Sequence, residues 1–187
     1  MRIIAGSARS VPLAQLTGKD IRPTLDRVRE SIFNILSPTL DEDTIFLDLC
    51  AGTGVNALEA LSRGAKQAIL LDSSSESITI ARANAEKTRL ADRCRFIRGA
   101  IPGKLSYIAT QFPPVSIVYA DPPYTYPDYE SVLKNLATLD MLLPNALVLI
   151  EHDAKRPLPD QVEALHQYRT QAYSHTQVTF YRNIVKQ

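Results

Sequence analysis

The amino-acid sequence predicts an α/β fold: a mostly parallel, seven-stranded sheet ending in a C-terminal antiparallel hairpin, with a small β-hairpin and a helix at the N-terminus. From residue 45 onward, strand-like apolar runs alternate with runs at helical spacing, which is typical of parallel strands joined by crossover helices. The runs at 68–71 and 115–120 are almost continuously apolar, as strands buried on both faces are. Beyond Pro157 and Pro159 the residues alternate between apolar and polar, which predicts the hairpin.

The individual elements follow from local patterns. Two short apolar runs on either side of a Gly- and Ser-containing turn indicate a hairpin of strands at 2–5 and 11–15. Pro23 blocks a helix upstream, Thr24 or Asp26 can cap one, and Pro38 ends it. We expect residues 1–40 to be an N-terminal extension and 41–187 to be the main domain. The later strands are predicted at 45–49, 67–72, 95–98, 115–120, 146–152, 163–173 and 177–185, and the later helices at 55–63, 75–88, 102–111 and 129–136.

Composition narrows the class of protein. The apolar fraction of 45% and the charged fraction of 22% are ordinary for a soluble globular protein, and no apolar run approaches the roughly 20 residues of a membrane span. Cys50 and Cys94 lie far apart and outside any metal-ligand spacing, which favours reduced thiols in the cytoplasm and no metal. We expect a cytoplasmic protein that uses neither a metal nor a membrane, and we expect it to be a monomer.

Charge is distributed unevenly along the chain. Residues 1–30 contain six basic and three acidic residues and 154–187 contain five and two, whereas 31–153 contain ten and fifteen. Basic ends around an acidic centre suit a polyanion held near a small cationic ligand, although ordinary solvated surface explains the ends equally well. Arg27 and Arg29 oppose the dipole of the predicted first helix, which favours a role toward a partner, with an exposed basic face as the alternative.

The stretch from Phe46 to Leu61 is a strand, a glycine turn and a helix, which is the opening of a ligand-binding α/β unit. The glycines and Ala57 formally fit the dinucleotide fingerprint, in which a pyrophosphate rests on the helix N-terminus. Asp48 at the strand end would repel a pyrophosphate, whereas it suits a ligand with an ammonium or sulfonium charge, such as S-adenosylmethionine. A turn that merely connects strand and helix is the alternative.

Two further strand ends carry polar groups. Asp72 lies about 20 residues past the glycine turn, where a carboxylate can accept from both hydroxyls of a ribose, and the serines after it can cap the next helix. The corner Asp121-Pro122-Pro123-Tyr124 is rigid and rich in acceptors. It suits a planar base with an exocyclic amine, whose hydrogens would reach Asp121 and the Pro122 carbonyl while the ring stacks on Tyr124. A plain proline-rich loop is the alternative.

Together these residues resemble a class I S-adenosylmethionine-dependent methyltransferase with a Rossmann-like fold, acting on an exocyclic nitrogen. Further segments resemble the RsmD family, whose members methylate the N2 of a guanine in bacterial small-subunit (16S) ribosomal RNA. These segments are Arg2-Ile3-Ile4-Ala5-Gly6, Arg22-Pro23-Thr24-x-x-Arg27-Val28-Arg29-Glu30-Ser31-Ile32-Phe33-Asn34, Glu59-Ala60-Leu61-Ser62-Arg63-Gly64-Ala65, Glu151-His152 and Thr179-Phe180-Tyr181.

The resemblance implies roles for particular residues. It assigns S-adenosylmethionine to Asp48, Ala51, Gly52, Gly54, Asp72, Ser73, Gly99, Ala100 and Asp121, the target guanine to Asp121, Pro122, Pro123 and Tyr124, and RNA contacts to Arg22, Thr24 and Arg27. Family members usually have Glu where this chain has Asp72 and Asp where it has Ala100. The second departure removes an acid expected near the adenine amine and predicts weaker cofactor affinity.

Other functions remain open from the sequence alone. The same corner would accept an adenine N6 amine in DNA or another RNA. A nicotinamide-dependent oxidoreductase is opposed by Asp48 and by the absence of an evident hydride-transfer partner, and a non-catalytic RNA-binding relative is motivated only by Ala100. Because only two segments are basic, we expect the 16S RNA to be bound within a partly assembled small ribosomal subunit.

Overall fold

The computed structural model describes residues 1–16, 23–123 and 125–184. The chain divides into two compact units, Met1–Gly99 and Ala100–Gln187. The boundary directly follows the third strand of the chain, Cys94–Arg98. Within the described residues, no helix has the length and apolar content needed to span a bilayer.

The first unit has three parallel strands and three α-helices. The strands lie in the order β3-β2-β1, and the register pairs Leu49 with Leu71 and Asp72 with Arg98. Because the strands are parallel and in register, their carboxyl ends lie along one edge. The elements are α1 (Pro23–Leu36), β1 (Ile45–Leu49), α2 (Val55–Ser62), β2 (Gln67–Asp72), α3 (Ser75–Lys87) and β3 (Cys94–Arg98), with short 3-10 turns at Ser37–Thr39 and Ala91–Arg93.

The N-terminal hairpin is held both by backbone hydrogen bonds between its two segments and by α2. The carboxylate of Glu59, fully buried, accepts hydrogen bonds from the backbone N–H groups of Ile4 (2.7 Å) and Ala5 (3.1 Å) and from Arg63 Nε (2.7 Å). The strands predicted at 2–5 and 11–15 are therefore reduced to a single antiparallel bridge between Arg2 and Pro12. Side-chain acceptors have taken the donors that a longer ladder would need.

Helix α1 begins earlier than the capping residues suggested. Its first residue is Pro23, so Thr24 and Asp26 both lie inside the first turn and neither precedes it. Proline is well tolerated at this position because its missing N–H would have had no partner within the helix. The helix ends at Leu36, two residues before Pro38, as predicted.

The second unit contains five strands and two helices. Strand β5 pairs parallel with β4 and antiparallel with β8, and the order β4-β5-β8-β7-β6 completes the unit. The predicted C-terminal hairpin is confirmed as β7 and β8. The elements are α4 (Leu105–Gln111), β4 (Val115–Ala120), α5 (Tyr129–Thr138), β5 (Leu142–Asp153), β6 (Gln161–Val162), β7 (Leu165–Tyr173) and β8 (Thr176–Asn183).

Two details of the second unit differ from expectation. The two-residue strand β6, paired with Leu165 and His166, makes eight strands in the described chain instead of seven. Strand β5 starts at Leu142 rather than at 146, because Leu142 pairs with Val115 ahead of a register shift. A two-residue strand carries too little alternation to be recognised, and the shifted segment interrupts the apolar pattern.

Candidate functional site

The turn after β1 combines three residues in the left-handed backbone region: Cys50 (φ 64°), Gly52 (φ 53°) and Gly54 (φ 77°). A Cβ at Gly54 would lie 2.9 Å from Leu70 Cδ2, so glycine allows α2 to begin against β2. A Cβ at Gly52 would meet no heavy atom of the described residues within 4 Å. The two glycines therefore differ in function: Gly54 permits packing, and Gly52 leaves an open face where a ligand can approach the backbone.

The turn is fixed by hydrogen bonds to the end of β2. The Ala51 N–H donates to the Leu71 carbonyl (3.0 Å), and the Gly52 N–H donates to Asp72 Oδ2 (2.8 Å). The other oxygen, Asp72 Oδ1, accepts from the Ser74 N–H (2.8 Å). A carboxylate oxygen has more than one acceptor site, so Asp72 can hold the turn and still accept from two ribose hydroxyls. The sequence predicts that Asp72 binds the ribose, but it gives no sign that Asp72 also holds the turn.

Asp48 is a buried carboxylate near the end of β1, just before this turn, with 1% of its surface exposed. Its Oδ2 accepts from the Ala57 N–H in the first turn of α2 (3.1 Å), while Oδ1 has no hydrogen-bond partner among the described residues. Burial, with a smaller contribution from the charge of Asp72, raises the pKa of Asp48 to about 7. An unsatisfied buried acceptor is costly, and a cationic group would satisfy it. These residues fit the positively charged end of S-adenosylmethionine.

The remaining predicted cofactor residues lie at the neighbouring strand ends. The Gly99 N–H donates to the Asp72 carbonyl (2.9 Å), which fixes the end of β3 beside the end of β2. Ser73 is exposed, and Ser74 caps α3 by accepting from the Ser77 N–H (3.2 Å), as the serine run predicted. Ala100 is exposed and is the first residue of the second unit.

In the second unit, the Asp-Pro-Pro corner directly follows β4. Asp121 is exposed, Pro122 is buried and Pro123 is exposed. The Pro123 carbonyl accepts from the Tyr126 N–H (2.7 Å), which ties the corner to the loop that follows it. Tyr124, the predicted stacking residue, lies outside the described residues.

Arg156 holds the loop that leaves this corner. Its guanidinium donates to the carbonyls of Tyr126 (2.7 Å) and Pro127 (3.2 Å) and lies over the Tyr129 ring, 5.1 Å from its centroid. Tyr129 also makes edge contacts with the rings of Tyr126 and His152. The local sequence around Arg156 gave no signal of this, because its partners lie about 30 residues earlier in the chain.

Two buried side-chain hydrogen bonds join the central strands of this unit. Tyr119 Oη donates to Glu151 Oε2 (2.8 Å), and His152 Nε2 and Thr179 Oγ1 are 2.8 Å apart. Burial raises the pKa of Glu151 and lowers the pKa of His152, so each favours its neutral form more than it would in water. These residues join β4, β5 and β8, which gives the Glu151-His152 and Thr179 segments a bracing role.

The predicted RNA-binding residues are only partly visible. Arg27 is exposed on α1, whereas Arg29 is buried and donates to the Arg2 carbonyl (2.7 Å) and to Asp26 (3.0 Å). The expectation that Arg29 is kept for a partner is therefore wrong: the residue ties α1 to the N-terminal segment. Arg22 lies outside the described residues, and of Thr24 only the helical backbone is described.

The family model described as "Conserved hypothetical protein 95" matches residues 1–182. Ribosomal RNA small subunit methyltransferase D of Escherichia coli K12 is 33% identical over 159 residues, which covers 85% of this chain and 78% of that protein. YlbH of Bacillus subtilis, a candidate rRNA methyltransferase, is 32% identical over 182 residues, covering 97% and 98% of the two chains.

Solved structures confirm the predicted fold class. The E. coli protein yhhF, a candidate methyltransferase, has a TM-score of 0.86 and 30% identity, covering 100% of this chain and 99% of that one. An RNA methyltransferase from Salinibacter ruber, solved with S-adenosyl-L-homocysteine, has a TM-score of 0.58 and covers 90% and 95%. Because the sequence identity to the Salinibacter ruber protein is only 20%, this second match shows a shared fold and nothing more.

Proposed function

The chain belongs to the ribosomal RNA small subunit methyltransferase D family, and on this premise we propose that it transfers a methyl group from S-adenosylmethionine to the N2 amine of a guanine in 16S ribosomal RNA. The observation that carries the cofactor assignment is the buried Asp48 carboxylate at the end of β1, one oxygen of which has no partner among the described residues, together with the open backbone face at Gly52. S-adenosylmethionine supplies an electrophilic methyl group on a positively charged sulfur.

On the cofactor side, the chain provides charge and shape. Asp48 lowers the energy of a cation in a place where water is excluded, and Gly52 allows a close approach to the backbone. Asp72 accepts hydrogen bonds from the ribose, in addition to those that it already accepts from the turn. We assign Ala51, Gly54, Ser73, Gly99 and Ala100 to the surroundings of the same molecule.

On the acceptor side, the corner orients a weak nucleophile. The lone pair of an exocyclic amine is delocalised into the ring, so the amine must be held with its lone pair directed at the incoming methyl group. Asp121 and the Pro122 carbonyl accept its two hydrogens, Pro123 fixes the turn, and Tyr124 stacks on the base. The carbon–sulfur bond breaks as the carbon–nitrogen bond forms, and the released amine proton passes to Asp121 or to water. Asp121 stabilises the positive charge that develops on nitrogen.

RNA binding is assigned to the N-terminal extension, residues 1–40, beside the methyltransferase domain, residues 41–187. We place the exposed Arg27, with Arg22 and Thr24, against phosphates of the RNA. The target guanine has to be unpaired or flipped out before it can reach the corner. We infer that the substrate is a partly assembled small ribosomal subunit in the cytoplasm, with the protein acting as a monomer.

The test is to assay labelled methyl transfer onto free 16S ribosomal RNA, small-subunit particles and DNA in parallel, followed by nucleoside analysis of the product. We expect N2-methylguanosine in ribosomal RNA, formed fastest in the particle, and no product in DNA. An Asp121→Ala variant serves as the inactive control. N6-methyladenine in any substrate, or labelling of DNA alone, would overturn the assignment.

A further inference from the structure

Asn84 lies in the interior of α3 with 1% of its surface exposed, and its side chain is fully engaged. Its Oδ1 accepts from the Ala14 N–H (2.8 Å), while its Nδ2 donates to the Ala14 carbonyl (3.1 Å) and to the Thr53 carbonyl (2.9 Å). Asparagine is a poor residue for a helix interior, so helix formation does not explain its presence. The amide connects two backbone segments that are 39 residues apart in the sequence.

One of these segments is the glycine turn at residues 50–54, called the cofactor turn because the proposed function places S-adenosylmethionine there. Thr53 lies between Gly52 and Gly54, and its carbonyl belongs to the peptide that leads into Gly54, the first residue before α2. The Gly54 N–H in turn donates to the Ala51 carbonyl (2.8 Å). The position of the Thr53 carbonyl therefore helps to set the backbone of the turn.

The other segment is the N-terminal one, and it reaches the same turn a second time. The Thr53 hydroxyl donates to Met1 Sδ (3.8 Å), and the Met1 carbonyl accepts from the Leu13 N–H (3.1 Å). Both ends of the stretch 1–14 are thus attached at Thr53, directly at Met1 and through Asn84 at Ala14. Ala14 precedes Arg22 by eight residues in the sequence.

We propose that Asn84 is a positioning residue that couples the cofactor turn to the N-terminal segment, so that RNA binding and cofactor binding strengthen each other. This inference rests on the proposed function, since it takes ribosomal RNA as the second ligand. Arg29 on α1 donates to the Arg2 carbonyl (2.7 Å), so RNA bound at Arg27 on the same helix constrains the N-terminal segment, and the amide of Asn84 transmits the constraint to Thr53. By linkage, the cofactor must then favour RNA binding by the same factor.

The coupling is measured by calorimetric titration of S-adenosylhomocysteine, which avoids turnover, with and without saturating 16S ribosomal RNA. We expect RNA to tighten binding at least about five-fold in the wild-type chain, a coupling of ordinary size. In Asn84→Ala the ratio should fall to about one. A ratio in Asn84→Ala equal to that of the wild type overturns the proposal.

Asn183→Ala is the matched control. Asn183 is also a buried amide, 5% exposed, whose Nδ2 donates to a backbone carbonyl, that of Leu143 (3.0 Å), but it lies on β8 in the second unit. We expect this variant to lose stability in thermal unfolding while its coupling ratio stays at the wild-type value. Loss of coupling in both variants would mean that general destabilisation is the cause, and would reject a specific role for Asn84.

A measurement on the wild-type chain keeps the proposal testable if Asn84→Ala does not fold. Addition of S-adenosylhomocysteine should slow hydrogen exchange in peptides covering 8–16 as well as in those covering 51–56. Protection confined to the turn would contradict the link. This result does not depend on RNA, so a failure of the chain to methylate 16S RNA would reject the proposed function separately.

Discussion

The carboxylate of Asp48 accepts a hydrogen bond from the backbone N–H of Ala57, which lies in the first turn of α2, across 3.1 Å. The acceptor comes from the strand and the donor from the helix, so this bond spans the glycine turn that joins the two elements. It leaves the second carboxylate oxygen buried without a partner in the described chain. The pair thus stabilises the strand–turn–helix unit and leaves an acceptor that the proposed cofactor would satisfy, and both consequences can be measured.

We expect Asp48→Asn to stabilise the free protein at high pH. Burial raises the folded-state pKa of Asp48 from 3.8 to about 7, so its proton is held more tightly in the folded state than in the unfolded one. The stability that protonation provides is complete below pH 4 and is lost as the pH rises through 7. Asparagine carries no charge and can still accept from Ala57. The variant should be more stable by up to about 4 kcal/mol at pH 8, with a difference that vanishes towards pH 4 in denaturant titrations. Parallel stability–pH curves for the two proteins would contradict this.

The same group should make cofactor binding depend on pH. Protonated Asp48 cannot neutralise a cationic ligand, so the affinity for S-adenosylmethionine should fall as the pH is lowered through 7. Between pH 8 and pH 6 we expect about a ten-fold loss, measured by calorimetry. Asp48→Asn should bind weakly at both pH values. An equal affinity of the wild type at pH 6 and pH 8 would show that Asp48 does not face the cationic end of the ligand.

The two glycines of the turn should respond differently to alanine. Gly54→Ala places a Cβ 2.9 Å from Leu70 Cδ2 and forces a φ of 77° on alanine, so we expect a loss of roughly 2–3 kcal/mol in unfolding free energy. The Cβ of Gly52→Ala meets no neighbour in the part of the chain that the structure describes, so only the backbone strain of about 1 kcal/mol applies. Its main effect should be at least a ten-fold weaker affinity for S-adenosylhomocysteine. Normal binding by a folded Gly52→Ala chain would place the ligand elsewhere.

Asp121→Ala should separate catalysis from cofactor binding. Loss of the acceptor for the amine should lower methyl transfer by about 100-fold or more, the size found when a group that stabilises transition-state charge is removed. Affinity for S-adenosylhomocysteine should change by less than about two-fold. Turnover in Asp121→Ala within ten-fold of the wild type would remove this residue from the reaction.

Arg156→Ala should act on the nucleic-acid side of the reaction. Without the guanidinium, the carbonyls of Tyr126 and Pro127 lose their donors and the loop after the corner is less restrained. We expect kcat/KM for RNA to fall by roughly 10- to 30-fold, with cofactor affinity retained. Arg156→Lys should recover part of the loss, because one ammonium can replace only part of a forked guanidinium. Equal effects on cofactor affinity and on RNA would argue for a general structural role.

Local patterns predicted much of the fold. Apolar runs that end in polar or glycine residues predict the turn at Gly52 and Gly54 and the positions of Asp48 and Asp72. Such runs can be recognised because their residues are close together in the sequence. The ends of most helices and strands lie within a few residues of their predicted positions. The cap by Ser74 was also predictable from neighbouring residues, because serine is a preferred residue at the N-cap of a helix.

Long-range partners could not be predicted in the same way. Glu59 and Asn84 look like ordinary helix residues, and only the fold reveals that they bond to backbone groups of residues 4, 5 and 14. Arg29 has the same sequence signature as the exposed Arg27, and burial alone distinguishes their functions. One signal was available for Asn84, because an asparagine inside a helix is usually kept for a specific hydrogen bond.

The attachment of the N-terminal segment also constrains how the chain folds during its synthesis. Ile4 and Ala14 leave the ribosome well before their partners, because the acceptor for the Ile4 N–H follows 55 residues later and the acceptor for the Ala14 N–H follows 70 residues later. These N–H groups remain hydrogen-bonded to water until α2 and α3 have emerged. The amino-terminal residues are therefore among the last of the first unit to become ordered. The nascent chain therefore completes the support of its cofactor turn only when most of that unit has been translated.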